Sequence, residues 1–335
     1  MISVIVMHTS GFLTDIESIN YFQINRFNYR LINRYKLKQR YSISDYYKYN
    51  MKPILISVWY NYNYSNSICL TNDLKDNLPT SITKISFHSS FNESIDRLPN
   101  NITDLKLESR FNQPIDHLPN SLIRLKLGFD FNQSIDHLPN SLTGLILGSS
   151  FNKPIDQLSK SLTHLSLCHD FNQPIDHLPD SLLYLKVGNM FNHPINHLPN
   201  SLMYLQLGYA FNIPVNQLPN SLVDLTFGYQ FNQPVDHLPN SLTHLVVEGF
   251  FDHPIDQLPD SITNLMLSYH FNQPIRKFPK SLTHLCFGGY FNQPIVNLPS
   301  SLEELTIENQ QFNHSIDHLS KSIILKGLCF FKPYY

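Results

Sequence analysis

Sixteen histidines occur in this 335-residue chain. Several follow an aspartate directly, as in Asp116-His117, Asp136-His137, Asp176-His177 and Asp236-His237. An imidazole beside a carboxylate can ligate a divalent metal or move a proton. Metal binding, however, needs three or four ligands converging on one point, and these pairs recur singly, each just before Leu-Pro or an equivalent. Stacked, they form a line with one imidazole per rung, interrupted by Gln157, Gln217 and Gln257. A repeated structural slot accounts for them, so no metal and no cofactor is expected. The asparagines that follow a recurring phenylalanine, among them Asn112, Asn132 and Asn172, read the same way. A catalytic residue is needed once and a turn residue every time, so these amides are expected to bond neighbouring backbone groups. No glycine-rich phosphate loop and no nucleophile elbow is present. The four cysteines, Cys69, Cys168, Cys286 and Cys329, are widely spaced without a CxxC, which predicts unpaired thiols in a reducing, intracellular compartment. The chain reads as a non-enzyme.

What must position these groups is an internal period. Phenylalanine recurs every twenty residues from Phe91 to Phe291 and once more, a residue late, at Phe312. Within one unit, Phe171 to Met190, apolar side chains fall at Phe171, Ile175, Leu178, Leu182, Leu185 and Val187. Leu185 and Val187 alternate with Tyr184 and Lys186, the period of a short strand. Pro174 and Pro179 remove backbone donors and oppose helix, so the return path is extended or bent. One unit cannot fold alone: burying each apolar side chain contributes roughly 1.5 to 3 kcal/mol, against an ordering cost of about 1.5 kcal/mol for every residue. Stacking the units into a parallel ladder merges their apolar positions into one core. The predicted fold is a repeat solenoid of about twelve 20-residue units, each with one short parallel β-strand, plus a small helical N-terminal segment.

Three regions follow from this reading. Residues 1–50 are rich in Tyr, Asn and Arg without a period, and "FLTDIESINYFQINRFNYRLINRY" predicts a helix within 12–36, entered through Thr14 or Asp15. Residues 51–90 form an N-terminal cap and a degenerate repeat, with a strand expected at Pro53–Tyr62 to close the open edge. Residues 91–335 are the array and its C-terminal cap. "MISVIVMHTSGFL" lacks a basic leader, and no run approaches the roughly 18 apolar residues of a membrane span. The expectation is a soluble protein with no membrane partner.

The segment "SLIRLKL", Ser121 to Leu127, carries the spacing of a leucine-rich repeat. The turn "FNQPI", at Phe111, Phe171, Phe271 and Phe291, resembles the FNIP repeat family, known from amoebae and the large DNA viruses that infect them. The resemblance covers about Leu78 to Leu319 and implies a leucine-rich-repeat-like, protein-binding solenoid. The segment at 12–36 is similar to the second half of an F-box, the module that docks a Skp-type adaptor in cullin ubiquitin ligases; its first, Leu-Pro-led helix has no counterpart in "MISVIVMHTS". The resemblance implies adaptor contacts from Ile19, Phe22 and Phe27, a role as ligase substrate receptor, and a cytoplasmic location, in the host cytoplasm if the chain is viral. A capping helix is the structural alternative for this segment.

Function in a repeat array lies where the units differ. The outward strand positions vary from Lys84 and Asp104 through Glu304 at the first site, and from Lys106 through Cys286 at the second. Lys106, Arg124, Lys126, His164, Tyr184, Lys186 and Tyr204 make a strip of cations and aromatic rings on the face expected to be concave. Tyr184 and Tyr204 should stack as cross-strand neighbours. This mixture marks a protein contact surface. Nucleic acid ranks last as a partner, because the formal net charge is −2 and Asp104, Glu108 and Asp130 interleave with the cations. The competing reading is a structural or decoy rod with no ligase link.

Overall fold

A computed structural model describes residues 82–316 together with the strand backbone at 67–70 and 324–326. The chain divides into two compact units, Met1–Ile68 and Cys69–Tyr335; the expected helix at 12–36 and the expected strand at Pro53–Tyr62 lie outside the described residues.

The second unit is a parallel β-solenoid. The sheet begins with β1 (Ser67–Leu70), which spans the boundary between the units, and continues with β2 (Lys84–Phe87), β3 (Asp104–Lys106), β4 (Arg124–Lys126) and β5 (Gly144–Ile146). Next come β6 (His164–Ser166), β7 (Tyr184–Lys186), β8 (Tyr204–Gln206), β9 (Asp224–Phe227) and β10 (His244–Val247). The last are β11 (Asn264–Met266), β12 (His284–Phe287), β13 (Glu304–Ile307) and β14 (Ile324–Lys326). All fourteen form one sheet in sequence order. Every pairing from β2 to β14 is parallel and offset by one full unit, so that Leu185 faces Leu165 on one side and Leu205 on the other. Twelve strands, β2 to β13, each precede one of the spine phenylalanines, and β1 and β14 extend the sheet at its two ends.

The alternation of burial along each strand is the period-two pattern made physical. Leu185 and Leu205 are fully buried, while Lys186 and Gln206 are half-buried on the opposite face. The spine rings stack from turn to turn: Phe111 and Phe131 lie 6.2 Å apart with planes 5° off parallel, and Phe171 and Phe191 lie 6.3 Å apart. Where the fourth strand residue is also phenylalanine, it stacks within its own turn, as Phe227 does on Phe231 at 3.8 Å. This ladder of rings fills the interior that a helix would occupy in a longer unit.

Polar ladders close the turns. The side-chain oxygen of each spine asparagine accepts the backbone N–H of its counterpart one turn on: Asn132 N–H donates to Asn112 Oδ1 and Asn172 N–H to Asn152 Oδ1, each at 2.9 Å. Gln133 Nε2 adds a second donor to Asn112 Oδ1 at 3.1 Å. The asparagines therefore bond neighbouring backbone, as their recurrence predicts. The serine that opens most strand segments does the reverse, donating backward: Ser121 Oγ–H bonds the Ile102 carbonyl and Ser141 Oγ–H the Leu122 carbonyl, both at 2.6 Å. After the strand the turns approach so closely that a Cβ at Gly148 would sit 1.5 Å from the Gly128 carbonyl oxygen, a contact only glycine permits.

Candidate partner-binding face

The first outward row runs in register through Asp104, Arg124, Gly144, His164, Tyr184, Tyr204 and Asp224. Its centre is a continuous ring stack. His164 lies on Tyr184 at 5.9 Å, and Tyr184 on Tyr204 at 4.5 Å with planes 12° apart. The row is less exposed than outward strand positions predict. Tyr204 retains 6% of its surface and Asp224 7%, so the rings are packed components of the sheet as well as a surface. Thr163 Oγ1 lies 2.9 Å from His164 Nδ1, and burial holds the His164 imidazole down to about 4 from its ordinary value of 6.5.

The cations behave in two ways. Arg124 is paired with Asp104 one strand before it, and Lys106 with Glu108 two residues on. The charges of Lys106 and Arg124 are thus met within the face itself. Lys126 and Lys186 differ: burial pushes both amines below the usual lysine value. For Lys126 the neighbouring Lys106 adds to the lowering, and Glu108 and Cys168 oppose it. For Lys186 the opposition comes from Cys168 and Glu248. The Cys168 thiol is itself raised by burial against the pull of both lysines, and burial raises Glu248 against Lys186.

The structure therefore adds Cys168 and Glu248 to the predicted strip. Both occupy the same place in the twenty-residue unit, three residues before the spine phenylalanine, where several neighbouring units carry glycine, as at Gly148, Gly188, Gly208 and Gly228. That departure from glycine was the available signal. Cys168 is a free thiol, whereas Cys286 is disulfide-bonded. The cysteines are not the uniformly unpaired set their spacing predicts, since sequence distance says nothing of distance across a stack.

The Asp-His pairs are reorganised. His137 Nδ1 lies 3.3 Å from Asp116, not from the adjoining Asp136, and His177 and His197 reach Asp156 and Asp176 of the previous turn at 3.2 Å. These side chains are largely exposed, and each rung brings one imidazole to one carboxylate. Among the described residues no three His, Cys, Asp or Glu side chains gather as a metal site would require, and no helix is long and apolar enough to cross a membrane. Ile19, Phe22 and Phe27 lie outside the described residues.

A family model described as FNIP Repeat matches eleven overlapping segments of the chain: 72–107, 92–130, 111–150, 131–169, 151–190, 171–210, 191–230, 211–246, 231–270, 251–290 and 271–310. Among solved structures, the chain is similar to CroV588, described as a novel circular LRR protein structure. The identity is 40% and the TM-score 0.63, over 74% of this chain and 43% of that one. It is also similar to YopM from Yersinia enterocolitica WA-314, at 18% identity and TM-score 0.41 over 72% of this chain and 61% of that one. The functional domain of InlJ from Listeria monocytogenes stands at 16% identity and 0.45, over 72% and 62%. The chain thus spans less than two thirds of each of these proteins. No curated protein matches it.

Proposed function

The chain belongs to the FNIP repeat family, and from that premise we propose that it is a non-enzymatic scaffold that captures a protein partner on the strand face of its solenoid. The observation that carries the proposal is the His164–Tyr184–Tyr204 stack flanked by Lys126 and Lys186. Rigid aromatic rings offer contact area at little entropic cost, and tyrosine is over-represented among residues that dominate interface energetics. Lysines already partly desolvated in the free protein lose less on being covered than fully hydrated ones do, and acidic groups on a partner restore their charge-stabilising surroundings. We assign the contact to Lys106, Arg124, Lys126, His164, Tyr184, Lys186 and Tyr204 on the concave side. Lys126 and Lys186 steer the encounter, and the rings hold the complex.

The finer reading makes this protein a substrate receptor, with Ile19, Phe22 and Phe27 docking a Skp-type adaptor of a cullin ubiquitin ligase in the cytoplasm. Its support is the F-box resemblance of residues 12–36.

The test has two arms. A partner recovered with the tagged full-length chain is measured for association and dissociation with purified variants. Lys126→Gln with Lys186→Gln should slow association in a salt-sensitive way. Tyr184→Ala should speed dissociation, the loss being on the order of 1 to 4 kcal/mol. Unchanged rates in both folded variants would remove the strand face as the site. Titration of a Skp-type adaptor with the full-length chain addresses the ligase link separately, and the absence of a complex at high micromolar concentration sinks it.

A further inference from the structure

Away from the strand face, the turns that follow β8 to β12 carry a second aromatic surface. Tyr209 and Tyr229 stack at 5.3 Å with planes 2° apart, and Phe250 meets Tyr229 edge-on at 4.9 Å. His270 continues the line from Phe250 at 4.8 Å, and Tyr290 closes it 4.8 Å from Tyr269 and 5.0 Å from His270. Unlike the spine, these rings face water: Tyr209, Phe250, Tyr269 and Tyr290 are 46%, 45%, 51% and 53% exposed. A contiguous exposed apolar ridge of this kind marks an interaction site more often than a solvated surface.

The polarity of the ridge narrows its ligand. The ten residues at 209–210, 229–230, 249–250, 269–270 and 289–290 include no Asp, Glu, Lys or Arg. Four of their backbone carbonyls each accept an N–H from the next turn. Gln230 N–H donates to the Tyr209 carbonyl, Phe250 N–H to Tyr229 and Tyr290 N–H to Tyr269, each at 2.9 Å, and His270 N–H donates to Gly249 at 3.2 Å. What the ridge presents is ring faces and phenolic O–H groups. It is therefore aromatic and without Asp, Glu, Lys or Arg, and its tyrosines offer phenolic donors.

We propose that the ridge from Tyr209 to Tyr290 binds a proline-rich segment of a partner protein in the polyproline II conformation. Such a segment is the complement of this surface. Proline has no N–H to satisfy, its ring packs on aromatic faces, and an extended polyproline helix has no internal hydrogen bonds, so its carbonyls await donors. Five turns spaced by roughly 4.8 Å give a ridge about 19 Å long, which about six residues cover at ~3.1 Å each. A nucleic acid strand would also stack on rings but requires cations along its phosphates. An oligosaccharide would also stack on the rings, and the test separates it from proline.

The test uses fluorescently labelled decaproline and the full-length chain, followed by anisotropy. Saturable binding is expected, weakened about tenfold or more by Tyr229→Ser with Tyr269→Ser. Tyr229→Phe with Tyr269→Phe keeps the rings and removes the donors, and should weaken binding by a smaller factor. Tyr184→Ala on the strand face should leave it unchanged. Circular dichroism melts confirm that each variant is folded. No saturable binding of decaproline, binding indifferent to the double serine variant, or tighter binding of a chito-oligosaccharide or an oligo-dT strand would each overturn the assignment.

Discussion

The carboxylate of Asp252 accepts the backbone N–H of Asn272 at 2.9 Å, in the place where every neighbouring turn uses the amide oxygen of an asparagine. The ladder therefore requires an acceptor at this position and makes no demand on the amide nitrogen. Asn112, half-buried and accepting from both Asn132 N–H and Gln133 Nε2, tests this. Asn112→Ala should lower unfolding free energy by about 1 to 2 kcal/mol, while Asn112→Asp should stay within about 0.5 kcal/mol of the parent. Urea denaturation of the pair distinguishes them; equal losses would mean that the amide N–H₂ matters after all.

Leu185 and Tyr184 are adjacent in sequence and opposite in role. Leu185 is fully buried between Leu165 and Leu205, so Leu185→Asp places an unpaired charge in the core and should cost several kcal/mol, on the order of 3 or more. Tyr184→Ala removes one half-buried ring from a stack and should cost less, about 1 to 2 kcal/mol. Chemical denaturation midpoints measured side by side would contradict this account if the tyrosine variant proved the weaker protein.

Length is fixed as strictly as composition. Deleting residues 211–230 removes β9 with its whole turn and lets β8 meet β10 in register, because both carry leucine at the central position. The shortened stack should melt cooperatively near the parent. Deleting 211–220 removes the spine ring Phe211 and the return path while leaving β9 behind, so that strand cannot come round to its neighbour. Circular dichroism melts that look alike for the two deletions would refute the stacking account.

His164 supplies a pH dependence. Burial holds its folded-state value at about 4, below the ordinary 6.5. The unfolded chain therefore binds this proton first as pH falls. The stability contributed by neutral His164 is complete above pH 6.5, declines through the interval, and is lost by about pH 4, a change on the order of 3 kcal/mol. His164→Gln should therefore flatten the loss of unfolding free energy between pH 7 and pH 4.5. An identical slope in the variant would assign the acid sensitivity elsewhere.

The repeat period, the parallel strands, the buried leucines and the phenylalanine spine were legible in the sequence because each is a local rule written many times. Side chains at Leu185 and Tyr184 must point to opposite faces whatever the global shape, and twenty residues per turn leave one way to stack. That Asn112 bonds neighbouring backbone followed from its recurrence; that its oxygen is the acceptor came from the structure. What only the tertiary structure decided is which side chains meet across turns. Sequence neighbours Asp136 and His137 separate, and His137 joins Asp116 of the previous turn. Cys168 and Glu248, eighty residues apart in sequence, both act on Lys186. Tyr204 is buried where outward strand geometry promises exposure. The reason is common to all three: a strand's alternation sets the direction of a side chain, but its surroundings come from other turns, whose approach depends on the accumulated packing of the stack and is written at no single position.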